Sequence, residues 1–320
     1  MTWRDGAVDK TRVYLENMLG EWDLMRAAGM NITPAQVVQG TLGKIVEIAE
    51  ESFPLARVMD SSDIVFHAEG PGASRELPWL GALNWLSHIA ESNLRRLSAS
   101  ALDMLGVDGA KIARNLDMRI PGIAHASLWL GIKLMPPEAD LFDTDTQAFY
   151  KMLEQIGSLP AISRFIDDEG LRPGLDEMQP DPAMRDVQLE ALYKFSPTGK
   201  KGIHTLQMQT KEHGAVTLGQ RERVVLREAL DHPSSKLSKE GSFIGEMRAA
   251  DLDKNRMHLR GVDGIGSLRC IMPNLTNAQA KEIFGNAVKV HGRYQCDKQG
   301  RPRLLFVDRV EPLPQTKALV

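Results

Sequence analysis

Cysteine is nearly missing from this 320-residue chain: only Cys270 and Cys296 are present. No CxxC and no four-ligand set can be assembled from them, which argues against a structural zinc site. Both fall at inward positions of expected strands and read as small buried hydrophobes rather than a disulfide. Long apolar runs are missing too. None approaches the roughly 18 residues of a spanning helix, so no membrane association is expected. The start, MTWRDGAVDKTRV, lacks the basic-then-apolar pattern of a secretory leader, and a cytoplasmic location is expected. Internal repeats and low-complexity tracts are also lacking.

What remains is an ordinary globular balance, 42% hydrophobic and 25% charged, enough for two or three domains with real cores. The formal net charge of −3 excludes a chain that binds nucleic acid by bulk charge. The charge is uneven, however. Residues 1–240 hold 26 Lys and Arg against 34 Asp and Glu, a net of −8. Residues 241–313 hold 12 against 8, a net of +4.

Apolar spacing near 3.6 residues predicts helices over 8–28, 33–51, 77–105, 144–157, 182–195 and 219–230. Alternation predicts strands over 62–69, 123–134 and 202–210. The stretch 158–182 is rich in Pro, Gly and acids, and is read as an exposed excursion. Residues 231–240 (DHPSSKLSKE) make the best boundary. The expected division is a helical hairpin or arm over 1–52, an α+β domain over 53–235, a β-barrel over 240–313 and a tail over 314–320.

The last part is the most regular. Five alternating runs, 241–250, 255–262, 266–272, 287–296 and 302–311, are joined by turn chemistry such as Asp297-Lys298-Gln299-Gly300. A short helix over 274–285 separates the third from the fourth. Period two sends Phe243, Met247, Met257, Leu259, Leu268, Cys270, Val288, Val290 and Tyr294 inward. It sends Arg248, Arg256, His258, Arg260, Arg269, Lys289, His291 and Arg293 outward. The fifth run, Leu304 to Val307, is apolar on both faces, and a cover is expected over its outer side. The order β-β-β-α-β-β resembles the OB-fold, so the fold class is α+β with a C-terminal five-stranded OB-like barrel.

That resemblance implies a binding module whose ligand lies on strands two and three. Arg256, His258, Arg260 and Arg269 fall there, and Lys289 and Arg293 extend the set. Guanidinium groups at alternate positions can track phosphates. No aromatic residue sits outward on those two strands, so base stacking is not available. The competing reading is a face that docks on the acidic N-terminal part.

Other motifs are incomplete. Ser196-Pro197-Thr198-Gly199-Lys200-Lys201-Gly202 lacks the first glycine and the Ser or Thr of a phosphate loop, although Lys200 and Lys201 can contact a phosphate. Asp251 to Asn255 starts like a calcium loop but has Arg256 at the glycine place and Val262 at the glutamate place. Arg119 and His125 have the R-x5-H spacing seen in HEPN-type ribonucleases, yet Pro121 and Gly122 intervene and a strand follows. The eight histidines are dispersed. No catalytic residue, metal or cofactor is expected.

The chain is therefore expected to be a non-enzymatic binding or regulatory protein. Its basic barrel would contact nucleic-acid phosphates or a protein partner, and self-association is a further expectation. The layout is similar to accessory members of bacterial or phage defence and toxin–antitoxin systems. The alternatives are a phosphate-ester enzyme with a dispersed site, its first suspects being Arg119, His125, Lys200 and Lys201, and a structural subunit of an assembly.

Overall fold

The computed structural model describes residues 2–31, 33–74, 77–104, 109–124, 127–136, 144–231, 239–251, 255–273 and 275–313. The tail over 314–320 lies outside the described residues. The elements run α1 (Trp3–Ala27), α2 (Pro34–Glu47), α3 (Phe53–Ser61), β1 (Ile64–Glu69), α4 (Leu80–Met104), α5 (Gly109–Arg114), β2 (Asp117–Arg119), β3 (Ile123–Ala124) and β4 (Leu128–Met135). They continue with α6 (Thr144–Gly157), α7 (Leu159–Ser163), α8 (Leu175–Met178), α9 (Pro182–Phe195), β5 (Thr205–Thr210), β6 (Val216–Leu218) and α10 (Gln220–Asp231). Last come β7 (Lys239–Asp251), β8 (Arg256–Val262), β9 (Gly266–Ile271), α11 (Asn277–Ile283), β10 (Ala287–Cys296) and β11 (Pro302–Pro312). The fold is α+β. Contacts group the chain into two units, one of residues 1–89, 117–135 and 197–217, the other of 90–116, 136–196 and 218–320.

In the first unit a capping box of Thr2 and Asp5 starts α1. Asp60 of α3 accepts the next two free N–H groups, from Trp3 and Arg4, both at 3.0 Å. α1 thus packs on both α2 and α3. The helix expected over 33–51 does not end at 51. It passes through a π-helical turn, Ile48–Ser52, into α3, with Phe53 N–H reaching back to Ile48. Pro54 has no N–H to give Glu50, and its ring crowds that carbonyl, so the ladder widens locally instead of breaking.

The sheet runs β2-β4-β1-β5-β6, with β3 also on β4. β1 is central and antiparallel to both neighbours. Its residues Ile64 to Ala68 are all buried, as a strand covered on both faces must be. Leu128, Leu130, Ile132 and Leu134 of β4 are buried on alternate positions. The opposite face meets α3 through Val58 and Val65.

In the second unit the five expected barrel strands form a closed barrel, ordered β10-β11-β9-β8-β7. β9 and β11 pair in parallel and the other pairs are antiparallel. All nine residues expected inside belong to the barrel core or pack against it. Leu305 is in that core, and Leu304, on the other face of β11, is also buried. α9 packs beside β11 and supplies the expected cover. The stretch 158–182 matches the expected exposed excursion only in part: from Arg164 to Asp181 Leu175 alone is buried, but its start is not exposed. It opens with α7, whose five residues are all buried.

Candidate functional site

The outward residues of β8 and β9 do leave the barrel core, but they do not reach solvent. Arg256, His258 and Arg269 are each no more than 2% exposed. α9 lies over them. Its N-cap Asp181 accepts from Ala183 and Met184, and one turn later Asp186 and Glu190 follow at i, i+4 on one face. Asp186 receives Arg256 at 3.0 Å and Arg269 at 2.6 Å. Glu190 receives Arg269 at 2.5 Å and Lys194 at 3.0 Å. Arg256 also donates to the Leu230 carbonyl at 2.8 Å.

A second carboxylate, Asp103 near the end of α4, takes Arg260 at 2.6 Å and faces His258 Nδ1 at 3.3 Å. Arg303 of β11 donates to Asp181 and to the Met104 carbonyl, both at 2.8 Å. The basic face is thus clamped to acids of its own chain. Three of the six residues expected to hold nucleic acid, Arg256, Arg260 and Arg269, spend their charge in this way, and a fourth, His258, is enclosed beside them.

Electrostatics follow from burial. Burial alone would raise Asp186, yet Arg269 and Arg256 hold it below the usual carboxylate range. Burial likewise opposes ionisation of Glu190, and Arg269 with Lys194 outweighs it, leaving a value of about 2. His258 goes the other way, because burial lowers its affinity for a proton more than Asp103 restores it. The Arg269 guanidinium donates towards His258 Nε2 at 3.3 Å. The ring is therefore the neutral tautomer, with its Nδ1 proton towards Asp103.

Lys289 and Arg293 behave as expected and are exposed on β10, with His291 between them. Lys200 and Lys201 are exposed in the turn before β5. Lys201 takes φ 65, and the flanking Gly199 and Gly202 take 76 and 68. This turn abuts Gly70 to Gly72 after β1. Arg119 is exposed and paired with Asp117 at 2.8 Å. It lies opposite Lys133, next to the residue that pairs with Ile64. Arg119 and the lysine turn therefore sit at opposite ends of β1, a strand about 20 Å long. His125 lies outside the described residues.

One arrangement escaped the sequence. His67 of β1 stands between Trp129 of β4 and Gln207 of β5. Its Nε2 meets Ser127 Oγ at 2.5 Å and its Nδ1 meets Gln207 Oε1 at 3.2 Å. Glu69, which accepts from Thr205, lies 3.8 Å from the same Nδ1. Trp129 stacks on the ring, centroids 3.8 Å apart and 6° from parallel. The partners lie 60 and 140 residues away along the chain, and only the strand order brings them together. Among the described residues, no group of three or more His, Cys, Asp or Glu is placed to hold a metal ion. Nor is any helix among them long and apolar enough to cross a membrane. No protein-family model, curated protein or solved structure matches the chain.

Proposed function

We propose that the chain is a binding protein built on an OB-type barrel, and that it contacts the phosphates of a nucleic acid through β10. The supporting observation is the exposed row Lys289, His291 and Arg293, at alternate positions and so about 6.7 Å apart along one strand. The strand order supports the OB assignment, since strand three lies parallel to strand five. The usual OB ligand surface, strands two and three, is occupied by α9, which moves the contact to the neighbouring face. The turn that follows β10 adds exposed Lys298 and Arg301.

Fluorescence anisotropy of the full chain with a labelled single-stranded oligonucleotide tests this reading. Binding should weaken steeply between about 50 and 200 mM salt. Lys289→Glu with Arg293→Glu should lower affinity on the order of tenfold and cut the salt slope by about two. An absence of binding at low salt removes the proposal.

A second reading, assembly with another copy of this chain, is favoured by the N-terminal helices. Among the described residues, eleven of the 20 exposed large apolar side chains fall between Trp3 and Val46, including Leu15 and Leu19 on α1 and Val38, Leu42 and Val46 on α2. A patch of this kind marks an interaction surface. An antiparallel pairing of two α1 helices, centred between Leu15 and Leu19, places Arg12 of one copy near Asp23 of the other. Light scattering should then give twice the 35.5 kDa chain mass, and Leu15→Glu with Leu19→Glu should halve it. A monomer at micromolar concentration rules the assembly out.

A further inference from the structure

The binding readings leave the His67 site unused, and the inference drawn from it does not rest on them. Three features of that site go together. First, the hydroxyl and the imidazole are in hydrogen-bond contact, Ser127 Oγ to His67 Nε2 at 2.5 Å. Second, the far side of the ring meets the acceptor Gln207 Oε1 at 3.2 Å, with the Glu69 carboxylate nearby at 3.8 Å. The tautomer that satisfies both sides carries its proton on Nδ1 and leaves a lone pair on Nε2 facing the serine. Third, Ser127 holds φ 103. A residue with a side chain rarely takes such a backbone, and residues held this way cluster at functional sites.

Each part has a mechanical cause in the fold. The ring cannot swing, because Trp129 stacks on it and its own strand is paired on both sides. It is 8% exposed, while Ser127 at the mouth of β4 is half-buried. Ser127 immediately precedes Leu128, which pairs with Ala68. The hydroxyl therefore lies at the end of the sheet, where β1 passes into Gly70-Pro71-Gly72. A nucleophile in contact with a base, the base oriented by a third group, is the arrangement that nucleophilic catalysis requires.

We propose that Ser127 is a nucleophile, with His67 its general base, acting on carboxylic esters. The Oγ lone pair forms a bond to the ester carbonyl carbon, and the carbonyl π pair moves onto oxygen. The Oγ proton passes to His67 Nε2. As the tetrahedral adduct collapses, the C–O bond to the alcohol breaks and the departing oxygen takes that proton. Water then attacks the acyl-serine with His67 again as base, giving the carboxylic acid and restoring the hydroxyl. The pair supplies one proton per half-reaction, which is what an alcohol leaving group consumes. Gln207 is a positioning residue that acts through His67, and Glu69 adds negative charge beside the same Nδ1.

The experiment treats the full chain with a fluorophosphonate probe and maps the adduct by peptide mass spectrometry, alongside hydrolysis of p-nitrophenyl acetate. The adduct should sit on Ser127 and disappear in Ser127→Ala and in His67→Ala. Ester hydrolysis should fall at least on the order of 100-fold in both. Ser127→Ala removes one half-buried hydroxyl and serves as the folded control, checked by circular dichroism, should His67→Ala fail to fold. Gln207→Ala should retain the adduct, lower its rate of formation and shift the pH profile of labelling. A structural hydrogen bond would leave that profile unmoved. No adduct on Ser127 in the folded chain, or unchanged hydrolysis by Ser127→Ala, overturns the proposal.

Discussion

Arg269 shows how much a buried guanidinium depends on its partners. It is wholly enclosed, and its N–H groups are directed at Asp186, Glu190 and His258. Removing Asp186 takes the shared carboxylate from two buried cations, leaving Glu190 as the one acid on Arg269 and the Leu230 carbonyl on Arg256. Asp186→Ala should therefore cost about 3–5 kcal/mol, read from urea unfolding of the full chain. Acid sensitivity follows by sign. Glu190 has its folded value lowered from 4.5 to about 2. Its contribution is complete above about pH 4.5 and is lost as pH falls towards 2. His258 is also lowered from its ordinary 6.5, so the folded state holds fewer protons and stability starts to decline once pH drops below 6.5. In His258→Gln that upper part of the decline should vanish, while the part near pH 4.5 and below should stay. At Cys270, burial pushes the thiol up to about 12. A thiol reagent at pH 8 should label Cys296 alone in the folded chain and both cysteines in denaturant.

At the scale of elements, β10 carries the tightest fit. Its register shifts between His291 and Gly292. A Cβ at Gly292 would stand 1.9 Å from the Phe306 carbonyl oxygen of β11. Gly292→Ala must push two paired strands apart and should destabilise by about 2 kcal/mol or more, seen as a lowered Tm. The barrel strands were legible because period two sorts their side chains and Gly- or Asp-rich turns separate them. The clamp was half legible. Alternation correctly sent Arg256 and Arg269 out of the barrel, and docking on acidic parts of the chain stood as the rival to solvent. What alternation lacks is any sign of which helix arrives there, since Asp186 and Glu190 at i, i+4 read equally as a solvated helix face. His67 and Ser127 were not legible at all. A histidine in an apolar strand looks the same with or without a serine brought in from a neighbouring strand.

For the molecule as a whole, the clamp changes what a fragment would report. An isolated piece covering 241–320 loses α9 and Asp103, and with them the carboxylates that Arg256, Arg260 and Arg269 meet in the full chain. That piece should bind single-stranded oligonucleotide more tightly, and with a steeper salt slope, than the full chain does. Equal affinity in the two would mean that the covered face contributes nothing even when open. Charge reversal at Arg269 in the full chain should register as lost stability before it registers as lost binding.

The clamp also has a timetable. Asp186 and Arg269 are 83 residues apart in the chain. At roughly 5–20 residues per second of synthesis, α9 leaves the ribosome about 4–17 s ahead of its cationic partner. During that interval the acids of α9 face water, where they cost nothing, and the helix has no basic strand to meet. When β8 and β9 arrive they find their counter-charges already presented, so the final quarter of the chain is received by a surface made earlier. A ribosome stalled before residue 256 would display Asp186 without either of its arginines, and Glu190 with only Lys194 of its own helix as counter-charge.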